Sequence, residues 1–354
     1  FLAIPAMLSV AELSSALPKA GGAYYFLERA LGPSIGTIAG IGTWLSLVLK
    51  DAFALVGMSA YLVLILDVNG KTVALVLIAF FTFVNVVGSK VSGSIQLFLV
   101  VFVLAVMAWF LTEGLFETQK QGIDKSNLDP FFTEGFSGLI SVIGLVFVSY
   151  GGLTKVASAA EEVDDPSLKI PLGMSLSLLV GTILYTLGAL VAVALLPSAV
   201  LHDDLAPIHS AAETILPSAG VALVVLAALA AFASAVNAGI LAAARYPMAM
   251  ARDGLFPEVA GRLSRHGTPA FGVIVTGIAI ALVVLVLDAE SIAKLASAFV
   301  LLTLGLLNIA VLVLRASHIR SYAPAFKAPF YPLTQFIGII ISIFLIFQLG
   351  VTAL

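Results

Sequence analysis

The chain has 354 residues, of which 61% are hydrophobic and only 10% are charged, and it contains no cysteine. A soluble globular domain carries about 25% charged residues, so this composition excludes the soluble class and predicts an integral membrane protein surrounded by the lipid bilayer. The net charge of −3 argues against a nucleic-acid-binding protein, and the lack of cysteine excludes disulfide frameworks, thiolate nucleophiles and cysteine-ligated metal sites.

Long apolar runs predict membrane-spanning helices, because about 20 apolar residues are needed to cross the hydrocarbon core. The sequence predicts ten such helices and no soluble domain. In chain order they cover residues 1–17, 34–66, 72–87, 94–112, 136–160, 172–196, 219–250, 270–287, 291–314 and 333–351. The second and seventh runs exceed thirty residues, so these two helices must tilt strongly or project beyond the bilayer.

Lysine and arginine are distributed unevenly between the predicted loops. Of the 17 basic residues, 12 follow the odd-numbered spans or lie near the ends of those spans, and three lie in the other loops. Lys50 and Lys294, inside the second and ninth spans, belong to neither group. By the positive-inside rule the first set of loops is cytoplasmic, so the first helix runs from outside to inside. The loops 113–135 and 197–217 are then external. The second of these is weakly amphipathic and is either an ordinary connection or a lid lying on the protein.

A glycine pair interrupts the fifth predicted helix at mid-depth. The pair, Gly151 and Gly152, follows Ser149 and Tyr150, and each glycine destabilises a helix by roughly 1 kcal/mol relative to alanine. A helix broken inside the membrane must line a cavity or be buried in protein, and its free N–H and C=O groups attract an anion and a cation, respectively. An amino acid carries both charges. Close helix packing is the competing explanation for the glycines.

Five polar residues inside predicted spans are further candidates. Lys50 and Asp51 lie near the centre of the second helix, where a charge costs roughly 2.5–3.5 kcal/mol, so at least one should face a polar interior and could couple a proton. Glu12 in the first helix is either a functional carboxylate or a structural anchor. Ser234 and Asn237 in the seventh helix could bind sodium, but hydrogen bonding across helices is the favoured interpretation.

Two further patterns have structural explanations. Gly32, Gly36 and Gly40 have the spacing that brings helix backbones into close contact. Four acidic residues in the segment 161–165 are expected to form a solvated turn, which could also belong to an inner gate.

No enzyme or cofactor is predicted. None of the four histidines has metal-ligand spacing with another ligand on one helix, and there is no phosphate-binding loop. These histidines are His202, His209, His266 and His318.

Three motifs, in order along the chain and on the predicted cytoplasmic side, resemble those of the amino acid–polyamine–organocation permeases. The first runs from AEL at 11–13 to PKAGGAY at 18–24. The second runs from FVSYGG at 147–152 to AEE at 160–162, DP at 165–166 and IP at 170–171. The third is MAMARDGLFP at 248–257. Each motif alone is moderately specific, whereas the ordered set, which spans nearly the whole chain, is highly specific.

The resemblance implies an all-α membrane protein with the LeuT-like fold of two inverted five-helix repeats. The ten predicted spans would match the family's second to eleventh helices. The chain would then be a single transporter domain, with residues 1–115 in the first repeat, residues 136–315 forming the second, and residues 333–351 a peripheral helix. The family's first and twelfth helices would be absent, and the broken first helix forms half of the family's substrate site.

The half of the site expected in this chain is Phe147, Ser149, Tyr150, Gly151 and Gly152. The resemblance implies that backbone groups around Ser149 and Tyr150 hold one end of the substrate. The rings of Phe147 and Tyr150 would shape the side-chain pocket or a gate.

The function implied is secondary active transport of amino acids across the plasma or inner membrane by alternating access, with proton or sodium coupling. Some proton-coupled members carry a lysine in place of a sodium ion, and Val103 occupies that position here, which leaves Lys50 as a candidate substitute. The alternatives are a permease for polyamines or other organic cations, a receptor that binds an amino acid without moving it, and a nonfunctional fragment.

Overall fold

The computed structural model describes residues 2–17, 22–66, 68–88, 93–122, 135–152, 163, 165–265, 267–320 and 322–350, and it has α-helices and no strands within these ranges. The α-helices, numbered in chain order, are α1 Ile4–Ala16, α2 Gly22–Leu31, α3 Pro33–Val63, α4 Gly70–Val87, α5 Gly93–Gln121, α6 Gly135–Tyr150, α7 Pro166–Leu195, α8 Ser198–Asp203, α9 Pro207–Ile215, α10 Ser218–Arg252, α11 Ala270–Val286, α12 Ala289–Ala316 and α13 Leu333–Gln348.

Parts of three predicted features lie outside the described residues. They are residues 18–21 of the first motif, residues 153–162 and 164 of the second motif with its acidic segment, and residues 123–134 of the first external loop.

Each of the ten predicted spans corresponds to one apolar helix. Six helices, α3, α4, α5, α7, α10 and α12, are long and apolar enough to cross a membrane, judged by length and composition. The other four, α1, α6, α11 and α13, have 13, 16, 17 and 16 residues. The predicted all-α membrane class is therefore confirmed.

Two helices extend more than two residues beyond a predicted end. Helix α5 continues past residue 112 to Gln121, because Gly114 packs tightly against Val191 of α7 and Lys120 pairs with Glu117 at 3.6 Å. The predicted external loop therefore begins with helix. Helix α7 begins at Pro166 rather than residue 172, since proline is tolerated in the first turn, where its missing N–H would have no partner in the helix.

Helix α3 lies at the centre of the bundle and packs against α2, α4, α10, α11 and α12. Its glycines explain the close contact with α2. A Cβ at Gly36 would lie 2.7 Å from the Cα of Glu28, and a Cβ at Gly40 would lie 2.8 Å from the ring of Tyr24. The predicted backbone contact is thus present at Gly36, with α2 as the partner. Gly32 lies just before α3, and a Cβ there would meet no heavy atom within 4 Å.

The external segment 197–217 folds as α8 and α9. Helix α9 packs against α5, α7 and α10, and its residues Ala211 and Ala212 are fully buried. Leu201 and Ile208 pack against the same apolar cluster. The segment therefore lies on the protein, and its movement as a lid stays a prediction.

Candidate functional site

Helix α6 ends at the predicted break. Its last residue is Tyr150, and the N–H of Gly151 donates to the carbonyl of Val148 at 3.2 Å in a tighter turn. Gly151 is buried between two other helices, because a Cβ there would lie 3.1 Å from Val300 of α12 and 3.4 Å from Lys50 of α3. The helix end is therefore enclosed by the bundle at the glycine pair.

A buried serine of α12 holds the last turns of α6. Ser297 is fully buried, its hydroxyl donates to the carbonyl of Leu145 at 2.6 Å, and it accepts from the N–H of Val148 at 3.0 Å. A hydrogen bond of this kind contributes roughly 0.5–1.5 kcal/mol. The sequence carries no signal for Ser297, because a single serine in an apolar helix is not distinguishable from a packing residue.

A cavity of about 240 Å³ lies on the α7 side of the break. The α6 side of this cavity is formed by Ser149, Tyr150 and Gly152, and the rings of Tyr150 and Tyr185 lie 5.7 Å apart. The remaining lining residues all belong to α7 and are Met174, Ser177, Leu178, Gly181 and Tyr185. Hydroxyl-bearing side chains, two glycines, one thioether and a leucine therefore surround a volume suited to a small molecule.

Phe147 lies one turn before the glycine pair and is 6% exposed. Together with Tyr150 it lines a second cavity of about 320 Å³, which extends toward Leu2 and Ala3. The two rings lie 6.4 Å apart. Ser149, Tyr150 and Gly152 thus line the first cavity, Phe147 and Tyr150 line the second, and Gly151 lines neither. Their role as a substrate site stays a prediction.

A larger cavity, of about 520 Å³, lies elsewhere, between the ends of α3, α4 and α11 and the turn around Asp204. Its lining is mainly apolar and includes none of the residues of the glycine break. By the predicted orientation, this cavity lies on the external side of the protein. Because it is larger than the cavity at the break, volume alone does not identify the substrate site.

Lys50 and Asp51 point toward different helices, as expected for neighbours on a helix. The Nζ of Lys50 lies 3.8 Å from the position that a Cβ of Gly152 would occupy. Asp51 is 1% exposed, and its carboxylate occupies the space left by the missing side chain of Gly239 on α10. Lys50 therefore belongs to the break, whereas Asp51 lies between α3 and α10.

Ser234 and Asn237 form hydrogen bonds to other helices. The amide of Asn85 on α4 donates to Asn237 at 2.9 Å, and the amide of Gln96 on α5 donates to Ser234 at 2.6 Å. These contacts agree with the favoured interhelical interpretation, while sodium binding stays a prediction.

Glu12 is completely buried and accepts four hydrogen bonds. Arg315 donates from Nε at 2.7 Å and from Nη2 at 2.5 Å, the Tyr322 hydroxyl donates at 2.8 Å, and the N–H of Ala328 donates at 2.7 Å. Burial and the charge of Glu12 raise the pKa of Tyr322, so its hydroxyl remains a donor. The cluster ties α1 to the end of α12 and to the segment before α13, away from the glycine pair.

Residues of the first and third motifs meet in the structure. The hydroxyl of Tyr24 donates to Asp253 at 2.6 Å, which links α2 to the end of α10. Burial and the bond to Asp253 raise the pKa of Tyr24, so this bond persists at neutral pH. The two residues are 229 positions apart, and their common cytoplasmic side was the only sequence signal for the contact.

Comparison with known proteins establishes the family. The family model described as amino acid permease matches residues 1–354, the whole length of the chain. The chain belongs to the amino acid permease family.

Relatives of this chain include proteins from plants and bacteria. It is 30% identical over 325 residues to a cationic amino acid transporter 2, vacuolar, of Arabidopsis thaliana, covering 86% of this chain and 51% of the relative. It is 28% identical over 371 residues to a branched-chain amino acid permease of Bacillus subtilis, and the match covers 98% of this chain and 78% of the relative. It is 27% identical over 363 residues to a methylthioribose transporter of the same species, and the match covers 97% of this chain and 77% of the relative.

The chain thus spans about half the length of the plant relative and over three quarters of the two bacterial ones. These relatives are named as permeases or transporters and not as enzymes. Together with its apolar helices, family membership makes this chain a multi-pass integral membrane protein.

Proposed function

We propose that this permease is a secondary active transporter that moves amino acids across the membrane by alternating access. The observation that carries the proposal is the end of α6 at Tyr150, with the glycine pair between Lys50 of α3 and a cavity of about 240 Å³ on the α7 side. Main-chain groups freed at a helix end bind the charged ends of small substrates. An amino acid offers both an ammonium and a carboxylate group for such a site.

The five residues of the break have distinct roles in this proposal. Backbone groups of Ser149, Gly151 and Gly152 hold one end of the substrate, and the rings of Phe147 and Tyr150 shape its pocket. Helices α1, α6 and α7 move together as one group against a second group formed by α3, α4, α10 and α11. Each group contains helices from both of the predicted inverted repeats. The names of the branched-chain and cationic amino acid relatives support amino acids as the substrate class.

Coupling to a proton is the second part of the proposal. Lys50 is the ionisable residue of α3 nearest to the break, and Asp51 is the one nearest to α10. They are therefore the first positions to test for proton coupling. The plasma membrane or bacterial inner membrane is the proposed location.

The test is transport by the full-length protein reconstituted in liposomes. We expect uptake of one class of labelled amino acid, stimulated by an inward proton gradient and absent from protein-free liposomes. Binding of an amino acid without uptake would contradict transport and favour a receptor. Uptake of polyamines in place of amino acids would instead support an organic-cation permease.

A further inference from the structure

Two cavities meet at the end of α6. Tyr150 of α6 and Leu178 of α7 line both the cavity of about 240 Å³ and the cavity of about 320 Å³. The two cavities are therefore neighbours, and the side chains of Tyr150 and Leu178 lie at the boundary between them. A small molecule bound beside Tyr150 has a space on either side of it.

The smaller cavity is the more polar of the two. Four of its lining residues, Ser149, Tyr150, Ser177 and Tyr185, carry hydroxyl groups. It also borders Gly152, a partly exposed residue without a side chain to cover its main chain. A hydroxyl group both donates and accepts hydrogen bonds, so it can bind a carboxylate as well as an ammonium group. This cavity therefore fits the charged ends of an amino acid.

The larger cavity is apolar. Val142, Ile143, Val146 and Phe147 form its α6 side, and the other described lining residues besides Tyr150 are aliphatic. These four residues have the spacing of one helix face, so α6 presents a continuous apolar surface to the cavity. An apolar side chain gains affinity by leaving water for such a surface, whereas a charged one would lose its hydration without a partner in the described wall.

We propose that the transported amino acids have apolar side chains and that the two cavities divide the substrate between them. The 240 Å³ cavity holds the ammonium and carboxylate groups, and the 320 Å³ cavity holds the side chain, with Val146 as a specificity-determining residue in its wall. This inference rests on the proposed transport function and adds the substrate class to it. Each buried CH₂ group is worth about fourfold in affinity, so leucine should bind more tightly than alanine by about tenfold or more.

The first measurement is the substrate profile of the full-length wild-type protein in liposomes. The probes are labelled leucine, phenylalanine, alanine, glutamate and lysine at equal, low concentrations. We expect uptake of leucine or phenylalanine to be at least about tenfold faster than uptake of glutamate and lysine. Uptake of glutamate or lysine at a rate equal to the best apolar substrate would overturn the inference.

The second measurement fills the apolar cavity. We expect Val146→Trp to lower the ratio of leucine to alanine uptake by about tenfold, because the indole ring takes the space of the larger side chain. Leu139→Trp is the matched control, since Leu139 is on the same helix, is similarly exposed and lines neither cavity. A merely structural effect would lower uptake of both substrates alike. An unchanged ratio in Val146→Trp, or in Val146→Phe if the first variant does not fold, would refute the inference.

The third measurement narrows the polar cavity. A Cβ at Gly181 would meet only the ring of Tyr185, at 4.0 Å, so the side chain of Gly181→Val enters the cavity without a collision. Because every amino acid has the same charged ends, we expect Gly181→Val to slow leucine and alanine uptake alike. Gly173→Val on the same helix should transport normally, since a Cβ there meets no heavy atom within 4 Å. A changed leucine to alanine ratio in Gly181→Val would overturn the division of the substrate between the cavities.

A binding readout separates this inference from the transport proposal. Thermal stabilisation of each purified protein by leucine and by alanine in detergent gives the same comparison without transport. A wild-type protein that transports amino acids but prefers charged side chains would refute only the assignment of the cavities. A wild-type protein that neither transports nor binds any amino acid would refute both proposals.

Discussion

Two buried carboxylates in this protein are accommodated in different ways. Glu12 is surrounded by an arginine, a tyrosine hydroxyl and a main-chain N–H. Asp51 lies against a helix that has no side chain at Gly239. Glu12 is stabilised by its donors, and the position of Asp51 requires a residue at 239 that is too small to collide with its carboxylate.

Replacing Glu12 should strongly destabilise the protein. Glu12→Gln leaves Arg315 without its buried partner, and breaking such a pair costs about 3–5 kcal/mol. Unfolding of the purified protein in detergent measures the loss. Glu290→Gln is the control, because its pair with Lys294 is exposed and should cost less than about 1 kcal/mol. Equal losses in the two variants would show that the Glu12 cluster is not an anchor.

Adding one methyl group beside Asp51 should also destabilise the bundle. The Cβ in Gly239→Ala would overlap the Asp51 carboxylate, and forcing an extra group into a packed interior costs about 1–3 kcal/mol. The comparison is Gly173→Ala in α7, where a Cβ meets no heavy atom within 4 Å. Thermal unfolding should show a lower midpoint for Gly239→Ala alone. An unchanged midpoint would mean that α3 and α10 separate easily at this position.

At the scale of elements, the end of α6 is determined by its neighbours as well as by its glycines. Ser297 of α12 satisfies two main-chain groups of its last turns, and Val300 of the same helix packs against Gly151. Helix α12 therefore holds α6 where α6 stops. The glycine pair lets Lys50 approach from the other side.

Filling the break should abolish transport without unfolding the protein. The side chain of Gly151→Leu would occupy the space between Val300 and Lys50, so the substrate could not reach the main chain of the break. We expect no uptake in liposomes and an unchanged elution profile in detergent. Gly173→Leu, on the open face of α7, should transport normally. Normal uptake by Gly151→Leu would remove the break from the substrate site.

At the scale of the whole molecule, the orientation in the membrane is testable because the chain contains no cysteine. Ser198→Cys in α8 and Ser317→Cys after α12 each introduce a single thiol at an exposed position. The distribution of basic residues predicts that a membrane-impermeant maleimide labels Ser198→Cys in intact cells and labels Ser317→Cys only after permeabilisation. The reverse pattern would show that the molecule has the opposite orientation.

Several properties of this protein follow from the sequence alone. The ten apolar helices, the predicted orientation and the position of the glycine break are local properties, because hydropathy, loop charge and helix propensity act over short stretches of chain. The helix ends were less predictable. Helix α5 continues to Gln121 because α7 packs against Gly114, a contact that no local pattern shows.

The partners of the polar residues were decided by tertiary structure. The sequence left Glu12 as either a functional carboxylate or an anchor, and its contacts with Arg315 join residues 303 positions apart. Lys50 and Asp51 are adjacent charged residues in the sequence, yet one lies at the break in α6 and the other lies against α10. The physical reason is that a buried charge is stabilised by whichever groups packing brings to it, and those groups come from distant parts of the chain.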